Sequence, residues 1–377
     1  MNGSIRKKGK SSWQIIIDLG RDASGKKLRK FVTVKGTKAE AQRKRRELLT
    51  NLDKGIPVNS SKITLAAWVE RWLAEYVRHK NSQHTYERYD RLLRLHVLPV
   101  LGDVELTKLT PSHLKSLEAN LSAEGMAPAG VELVHCVISG VLKQALREEL
   151  VWRVVTQAVT PPRVDRKEVE PPEIAGVRRV LDIAKEQEHP LYPCLHLIAY
   201  TGARRGEALA LRWQNVNLES GTISIVESLG RSVEKGLVFS PPKTRSGRRV
   251  VDLDDDTVAL LRAHQGRQLL WQVELGDVFR NQGLVFPNLT GGPLNPMALT
   301  REYQRLAAQA GLKAGRLHDL RHFHVSVMLH SGETMVMVSK RLGHATVSTT
   351  ADIYAHIAPG WQKEAAQRFA KVMRGEP

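Results

Sequence analysis

The chain has 377 residues and a formal net charge of +18, from 57 lysines and arginines against 39 aspartates and glutamates. That length is too great for one ordinary hydrophobic core, so we expect two or three domains. A protein this basic typically binds a polyanion, and nucleic acid is the first candidate; a merely basic surface is the alternative. No apolar run approaches the roughly 20 residues of a membrane span and no signal peptide is visible, so we expect a cytoplasmic protein without membrane contact.

The sequence also carries no pattern that predicts a metal or cofactor site. The two cysteines, Cys136 and Cys194, lie far apart in apolar runs, and we expect both to be buried free thiols. The histidines form no pair with a third ligand, and no acidic trio indicates two-metal chemistry. The phosphate-binding motif of ATP-binding loops is absent. We therefore expect no metal and no cofactor.

The first 50 residues form the most basic part of the chain, with 15 lysines and arginines and four acidic residues, an excess of +11. Alternating apolar residues predict strands at 13–19 and 28–34. Thr37-x-x-Glu40 predicts a capped helix directly afterwards. A small sheet backed by one helix, with one cationic face, suits insertion into a DNA groove; a solvated basic hairpin is the alternative.

A polar linker at 53–62 separates this region from a helical one. Apolar residues at helical spacing predict four helices, the first capped by Thr64, the second ending near Pro99 and the third beginning at Thr110. We interpret the tryptophans and tyrosines of this region as core residues. A proline-rich connector at 160–172 ends it. The predicted domains are therefore 1–55, 62–160 and 173–377.

The third predicted domain, 173–377, is mixed but mostly helical. Helices are expected at 174–184, at 191–200, through 211–213, after Asp254, at 296–310 and from His318 onward. Strands are expected at 222–226, 237–239 and 249–253, the last two forming a hairpin with Lys243 near its tip. The predicted fold class is thus multidomain and mainly α with small β-sheets: an N-terminal sheet plus helix, a helical domain and a mixed α/β domain.

Four basic side chains in this third domain suit one substrate, a phosphodiester. Its transition state adds negative charge to oxygens that planar, two-pronged arginine donors stabilise. Arg204 opens a helix after a Thr-Gly turn, and His318 and Arg321 share a helix face by their i,i+3 spacing. His344 follows a glycine and can donate a hydrogen bond or move a proton. Each motif alone has a structural alternative; Arg204, for example, could simply pair with Glu207.

A tyrosine is the natural nucleophile beside such cations. Of seven tyrosines, only Tyr354 lies in a polar segment near a candidate histidine. Lys243 could protonate the leaving 5′-hydroxyl as a general acid, although a solvated turn lysine is the alternative. We interpret Arg245, Arg248 and Arg249 beside it as contacts to backbone phosphates.

These motifs together resemble the tyrosine recombinase, or phage-type integrase, family. The resemblance covers about 173–357 and rests on TGARRGEALALRW at 201–213, Lys243, HDLRH at 318–322, LGH at 342–344 and STTADIYAH at 348–356. His324 is a local departure, because small residues are common there in the family.

The resemblance implies a DNA strand transfer reaction that needs neither metal nor ATP. The six catalytic residues that it implies are Arg204, Lys243, His318, Arg321, His344 and Tyr354. The tyrosine attacks the scissile phosphate, forms a 3′-phosphotyrosyl bond and frees a 5′-hydroxyl. The two arginines clamp the phosphate, the two histidines assist proton transfer, and the lysine protonates the leaving oxygen. The implied function is integration or excision of a phage or other mobile element.

The resemblance also implies partners and an assembly. Residues 1–55 would bind arm-type DNA sites and 62–160 core-type sites, with the enzyme acting as a homotetramer on double-stranded DNA in a bacterial cytoplasm. DNA-bending and directionality proteins are further candidate partners. An apolar stripe in the tail (Trp361, Ala365, Phe369, Met373) would dock on a neighbouring protomer or, alternatively, on its own domain. Two other functions stay open: a type IB topoisomerase-like nickase and a catalytically idle DNA-binding regulator.

Overall fold

The computed structural model describes residues 3–21, 27–53, 62–165, 171–242, 244–312, 315–344, 346, 366–367, 369–371 and 373–375. Contacts between residues divide the chain into two compact units, Met1–Arg166 and Lys167–Pro377. The fold is multidomain and mainly α-helical with small β-sheets, which confirms the predicted fold class.

The N-terminal region of the first unit is a three-stranded antiparallel sheet followed by one helix. Its elements are β1 (Gly3–Gly9), β2 (Ser12–Arg21), β3 (Lys27–Lys35) and α1 (Lys38–Asp53). The two predicted strands and the helix are confirmed. Strand β1 was not predicted, because its single apolar residue, Ile5, gives no alternation. The predicted capping box is present: Thr37 N–H donates to the Glu40 carboxylate at 2.7 Å, and Glu40 N–H donates to Thr37 Oγ1 at 3.3 Å.

The two faces of this sheet differ in chemistry. On the inner face, Ile15 and Val32 are cross-strand neighbours, and Ile15 is fully buried. Helix α1 contacts all three strands and covers this face. On the outer face, Arg6, Gln14 and Thr33 form one row across the three strands. The side of the sheet away from α1 therefore presents this polar row beside an apolar cross-strand pair, Ile16 and Phe31.

The rest of the first unit is helical. Its elements are α2 (Leu65–Trp72), α3 (Arg78–Lys80), α4 (Gln83–Leu92), α5 (Leu98–Leu101), α6 (Pro111–Ala123) and α7 (Pro128–Arg147). Single π-helical turns, Leu73–Val77 and Leu93–Val97, join α2 to α3 and α4 to α5. The second predicted helix thus ends at Leu101, close to Pro99 as predicted. Pro99 lies in the first turn of α5, where its missing N–H removes no helical hydrogen bond.

The predicted helix starts in this region are confirmed. Thr64 Oγ1 accepts a hydrogen bond from Ala67 N–H at 3.3 Å at the start of α2. Thr110 caps α6 and is followed by Pro111 in the first turn. Each cap satisfies an N–H group that has no partner within the helix.

Most aromatic residues of the helical region lie in its core or pack against it, as predicted, whereas Trp152 is exposed. Trp68 is fully buried, and its Nε1–H donates to Val141 O at 3.0 Å. Trp72 stacks on Tyr89 with ring centroids 6.1 Å apart. Helix α7 is long and apolar enough to cross a membrane by length and composition, contrary to the expectation from the sequence. Its apolar face packs into the same core as Trp68, so it is the central helix of this region.

Within its described residues the second unit contains seven α-helices with defined ends, the last of which ends at Leu342. They are α8 (Ile174–Glu186), α9 (Tyr192–Thr201), α10 (Arg205–Ala210), α11 (Asp255–Leu275), α12 (Pro296–Gln309), α13 (Asp319–His330) and α14 (Met335–Leu342), and further helical residues lie in the tail. The helices predicted from 174 onward are confirmed, although the short one ends at Ala210 and a 3₁₀ turn, Trp213–Asn215, follows it.

The strands of the second unit pair differently from the prediction. They are β4 (Val216–Asn217), β5 (Thr222–Ile225), β6 (Ser228–Ser232), β7 (Gly236–Ser240) and β8 (Arg249–Asp252). The predicted hairpin between 237–239 and 249–253 is wrong: β7 pairs with β6, whereas β8 pairs with β5. A short turn before Gly236, whose φ is 70°, favours the local β6–β7 pairing. Pro241 and Pro242 follow β7 and lack the N–H donors that would continue its ladder.

The two cysteines have different environments. Cys194 is fully buried in the core of the second unit, as predicted, and burial raises the pKa of its thiol. Cys136 is exposed, so the expectation that both thiols are buried is wrong. Cys136 precedes Val137 on α7, and the buried face of that helix passes through Val137 and Ile138 instead.

Candidate active site

Arg321 joins three of the sequence motifs in space. It lies in α13 and is buried. Its Nη1 donates to Gly202 O at 2.6 Å, and its Nη2 donates to Leu342 O at 2.8 Å. Gly202 lies two residues before Arg204, and Leu342 lies two residues before His344. The guanidinium of Arg321 therefore holds the segments that carry Arg204 and His344 against its own helix.

Arg204 lies at the junction of α9 and α10. Helix α9 ends at Gly202, whose φ of 64° is in the left-handed region that favours glycine. The chain turns there, and Arg204 is the N-cap residue of α10, as the sequence predicted. Its side chain remains 42% exposed. Arg204 thus stands at the surface of the unit on a rigid turn, where a bound anion can reach it.

A buried carboxylate holds this arginine. Arg204 Nη1 donates to Glu207 Oε1 at 2.7 Å, and Arg204 N–H donates to Glu207 Oε2 at 2.9 Å. The alternative pairing noted from the sequence is therefore present, and it leaves the arginine partly exposed. Burial raises the pKa of the Glu207 carboxyl, but the hydrogen bond and charge of Arg249, aided by Arg204, outweigh burial and keep that pKa below its ordinary value. Glu207 is consequently ionised at neutral pH.

Arg249 corrects one interpretation made from the sequence. We expected Arg249 to contact a DNA phosphate, but its side chain is only 5% exposed. Its Nη2 donates to Glu207 Oε2 at 2.8 Å, and its Nε donates to Arg341 O at 2.7 Å. Because its hydrogen-bond partners lie inside the protein, the Arg249 side chain points into the interior and not toward DNA. Arg245 and Arg248 are exposed.

His318 immediately precedes α13 as its N-cap residue, one turn before Arg321. Arg321 N–H donates to His318 O at 3.0 Å, which fixes the i,i+3 relation that the sequence predicted. Burial, together with the neighbouring His322 and the charge of Arg321, lowers the pKa of His318 to about 4. His322 lies edge-on to it, with ring centroids 4.9 Å apart. The His318 imidazole is therefore neutral at pH 7.

His344 follows the C-terminus of α14. Burial, and then the charges of Arg321, Arg204 and Arg249, lower its pKa to about 4, against a small opposing effect of Glu207. The charges of Arg204 and Arg321 also act on His318. The four predicted residues, Arg204, His318, Arg321 and His344, are therefore close enough to influence one another electrostatically. A neutral imidazole at this position has one nitrogen that accepts and one that donates a hydrogen bond.

Gly343 sets the direction of the chain into His344. Its φ is 68°, and a Cβ atom added there would lie 2.6 Å from Ser246 O and 3.0 Å from Arg249 Nη1. Only glycine fits between the end of α14 and the segment before β8. The Leu-Gly-His motif therefore reflects both a helix C-cap and a close approach of two segments.

Substituting alanine at Gly343 is expected to displace His344 and destabilise the second unit. The left-handed φ costs about 1 kcal/mol for a residue with a Cβ, and the clash with Ser246 O adds to it. Gly332→Ala is the matched control, because Gly332 also has a positive φ, 96°, but an added Cβ meets nothing within 4 Å. Thermal unfolding of both variants measures the difference. An equal loss of stability would show that the close approach at Gly343 has no energetic effect.

His324 and its neighbour Arg341 were not recognised from the sequence as a pair. His324 is buried, and its Nδ1 lies 3.2 Å from Ala199 O. Arg341 Nε donates to its Nε2 at 3.3 Å, so Nδ1 carries the proton and the ring is neutral. Burial and the charge of Arg341 lower the pKa of His324 to about 4. The two ring nitrogens of His324 thus link α14 to α9.

Two of the six predicted catalytic residues, Lys243 and Tyr354, lie outside the described residues. Lys243 falls in the connection between β7 and β8, directly after Pro242. Tyr354 falls ten residues after His344. Within the part of the chain that the structure describes, no group of three histidine, cysteine or acidic side chains has the arrangement of a metal site.

The described site can bind and polarise an anion. Arg204 and Arg321 supply fixed guanidinium groups, and neutral His318 and His344 can accept or donate protons. Their positions are set by helix ends and by buried hydrogen bonds, so little reorganisation is needed on binding. Such an arrangement fits a phosphodiester that gains charge during a displacement at phosphorus.

Comparisons with known proteins cover nearly the whole chain. Residues 175–360 match the profile of the phage integrase family, and residues 64–118 match that of the phage integrase N-terminal SAM-like domain. A tyrosine recombinase XerC-like protein of Caldanaerobacter subterraneus subsp. tengcongensis is 26% identical over 384 residues, covering 96% of each chain. The ICEBs1 integrase of Bacillus subtilis is 23% identical and covers 98% of this chain and 100% of its own.

Solved structures share the fold. A Tn1549 transposon integrase in complex with a circular intermediate DNA superposes with a TM-score of 0.68 at 16% identity, over 81% of this chain and 99% of that one. A lambda integrase dimer bound to a core site has a TM-score of 0.58 at 15% identity, over 93% of this chain and 95% of that one. These structural matches, the two family profiles and the arginine and histidine motifs all indicate the same family. The chain belongs to the tyrosine recombinase, or phage integrase, family.

Proposed function

We propose that this tyrosine recombinase integrates or excises a mobile DNA element by cleaving and rejoining DNA through a 3′-phosphotyrosyl intermediate. The observation that carries the proposal is the pair of hydrogen bonds from Arg321 to Gly202 O and Leu342 O, which gathers the arginine and histidine motifs around one position. Trapping of a covalent protein–DNA adduct on nicked DNA, without metal or ATP, tests it.

The proposed cleavage step is a displacement at phosphorus. The Tyr354 phenol loses its proton to a neutral histidine, His318 or His344, and its oxygen forms a bond to the scissile phosphorus. The bond from phosphorus to the 5′ oxygen breaks, and Lys243 donates a proton to that oxygen. Strand exchange reverses the step, with a 5′-hydroxyl of the partner DNA as the nucleophile.

Arg204 and Arg321 have the proposed role of binding the phosphate oxygens. A guanidinium can donate two parallel hydrogen bonds to a phosphate, which gives both charge and orientation. Glu207 orients Arg204, while Arg321 is anchored by two carbonyl groups. Because the bond energy is kept in the phosphotyrosyl link, rejoining needs no external energy source.

The domain roles are part of the same proposal. We assign 1–55 to arm-type DNA sites, 62–160 to core-type sites and 173–377 to catalysis. The outer face of the N-terminal sheet supports the first assignment, since it carries Arg6, Gln14 and Thr33 in one row. Beside this row, Phe31 is 56% exposed and available for apolar contact with a base. A two- or three-stranded ribbon fits the major groove, where Arg and Gln can read base edges.

Replacing Gln14 with alanine is expected to weaken binding of arm-type DNA by about 1–3 kcal/mol and to relax preference at one base pair. Arg6→Ala should weaken it as well. Lys44→Ala is the control, because Lys44 lies on α1, is exposed and pairs with Glu47 at 2.6 Å. Fluorescence anisotropy with arm-site and scrambled DNA measures the effect. Equal, sequence-independent losses for Gln14 and Lys44 would contradict base reading by this face.

The assembly that we propose is a homotetramer on two paired core sites, in the cytoplasm of a bacterial host. In the tail, Phe369 and Met373 are both largely exposed, whereas Trp361 and Ala365 of the predicted stripe lie outside the described residues. Exposed apolar residues on a terminal helix favour docking on another surface. DNA-bending and directionality proteins remain proposed partners. Counting the protomers in the complex on paired core sites decides the stoichiometry.

A further inference from the structure

The buried side chain of Arg249 connects three segments of the active-site region. It lies at the start of β8, and its side chain is 5% exposed. Its Nη2 donates to Glu207 Oε2 at 2.8 Å, its Nε donates to Arg341 O at 2.7 Å, and its Nη1 donates to Gly247 O at 3.2 Å. All three nitrogens of the guanidinium are therefore engaged inside the protein.

Each of these bonds leads toward a proposed catalytic residue. Glu207 receives Arg249 on one carboxylate oxygen and the side chain of Arg204 on the other, at 2.7 Å. The Arg341 carbonyl belongs to the last turn of α14, three residues before His344. Gly247 lies in the short segment between Lys243 and β8. The Arg249 guanidinium thus forms direct hydrogen bonds to the carboxylate that holds Arg204, to the end of α14 and to the connection that carries Lys243.

The close approach at Gly343 shows how tightly α14 sits on this guanidinium. A Cβ at Gly343 would lie 3.0 Å from both Cδ and Nη1 of Arg249. The backbone that leads into His344 therefore rests on the Arg249 side chain. A change in the length or shape of this side chain moves the support of His344 as well as the hydrogen bond to Glu207.

We propose that Arg249 is a positioning residue for the recombination reaction. It holds Glu207, and through it Arg204, in place, and it supports the end of α14 that directs His344. It acts through these groups and does not touch the phosphate. The inference rests on the proposed function and deepens it by adding a residue that none of the sequence motifs assigned to catalysis.

The charge of Arg249 has a second effect on Glu207. A buried carboxylate is stable as an anion only when cations and hydrogen bonds compensate for lost hydration. Arg249 supplies the largest part of that compensation, and Arg204 supplies less. Without Arg249, burial would raise the pKa of Glu207, and the neutral carboxylic acid would hold Arg204 less firmly. Arg249 therefore couples the position of Arg204 to the ionisation of Glu207.

Single-turnover cleavage of nicked DNA at saturating concentration tests the proposal, with DNA affinity measured separately. Arg249→Met is expected to lower the cleavage rate by about 10- to 100-fold, the range typical of residues that orient catalytic groups. Its DNA affinity should change by less than about twofold, because the side chain is buried. Arg305→Met is the matched control, since it removes an exposed arginine that pairs with Glu302 at 2.9 Å.

The pH dependence distinguishes positioning from a general loss of structure. In wild type, the pKa of Glu207 lies below its ordinary value, so Glu207 stays ionised and imposes no rise in rate near neutral pH. In Arg249→Met the raised pKa brings its ionisation into the measured range, so the rate should increase with pH through that pKa. Arg249→Lys keeps the positive charge but has only one donor nitrogen. It should restore the wild-type pH profile and only part of the rate.

A double variant covers the case in which Arg249→Met fails to fold. Glu207→Gln removes the buried charge, so Glu207→Gln/Arg249→Met leaves no unpaired anion in the interior. Because Arg249 acts partly through Glu207 and partly on the end of α14, the double variant should cleave more slowly than Glu207→Gln alone, but by less than the product of the two single losses, as expected for coupled residues. Independent, multiplying losses would overturn the proposal.

Two other results would also reject it. A wild-type cleavage rate in Arg249→Met would remove any role in positioning. If Arg249→Met binds DNA more weakly and with a changed salt dependence but cleaves at an unchanged rate at saturation, Arg249 contacts DNA phosphates instead of positioning catalytic groups. Adduct formation by the wild-type protein is measured in the same experiment. Its absence would reject the proposed function, whereas equal adduct formation by wild type and Arg249 variants would reject only this inference.

Discussion

Replacing Arg321 with lysine is expected to slow DNA cleavage by about 10²–10³-fold at saturating DNA, the loss typical of one preorganised donor to a developing negative charge. The geometry explains why keeping the positive charge, as lysine does, is not sufficient. The guanidinium spans Gly202 O and Leu342 O with two separate nitrogens, at 2.6 and 2.8 Å. A lysine has one nitrogen on a flexible chain and cannot hold both carbonyl groups in the same plane.

The same substitution should have a smaller effect on DNA affinity, because many phosphate contacts share the binding energy. Arg316→Lys is the control: Arg316 precedes the same helix, its side chain is 67% exposed, and it pairs with Asp319 at 3.0 Å. Single-turnover cleavage and anisotropy titrations on one DNA separate the two effects. Equal cleavage by the Arg321→Lys and Arg316→Lys variants would contradict a role for Arg321 at the phosphate.

Replacing Tyr354 with phenylalanine is expected to abolish the covalent adduct, since phenylalanine has no nucleophilic oxygen. The other tyrosines of the second unit are poor substitutes. Tyr303 is fully buried, and burial raises the pKa of its phenol, as it does for Tyr192. Tyr200 is exposed and stacks on His196, with ring centroids 3.9 Å apart. Tyr200→Phe preserves that stacking and is therefore the matched control, with adduct formation expected at the wild-type level.

Local features of the fold could be predicted from the sequence because local residues determine them. Thr37, Thr64 and Thr110 each cap a helix with a side-chain oxygen a few residues from its partner, and all three caps are present. The pairing of β7 and β8 could not be predicted in this way. Both strands have suitable apolar residues, and the choice of partner depends on the β6–β7 turn and on β5, which is distant in sequence.

The candidate site was predictable to a similar extent. Arg204, His318, Arg321 and His344 stand in recognisable motifs, and hydrogen bonds bring their segments together. The role of Arg249 was missed because Arg245 and Arg248 lie beside it in the sequence, and this cluster made a cationic loop the simplest interpretation. Strand alternation was an available signal, since Val251 is buried and residues two apart share a face of a strand.

The adjacent valines explain why that signal was ambiguous. Val250 and Val251 have similar chemistry, so the sequence does not reveal which of them faces the core. In the structure Val251 is buried and Val250 is exposed. This choice of register turns Arg249 inward toward Glu207. Burial of a charged residue depended on a register that only the tertiary fold determines.

The central claim, a phosphotyrosyl recombination mechanism, is tested most directly with a nicked DNA that carries a bound core-type site. The nick lies close to the scissile phosphate, so that a short fragment diffuses away after cleavage and prevents rejoining. The protein and DNA are incubated with a chelator and without ATP, then separated on a denaturing gel. We expect an adduct from wild type and Tyr200→Phe and none from Tyr354→Phe. An undiminished adduct from Tyr354→Phe, or no adduct from wild type on DNA that it binds, would contradict this mechanism.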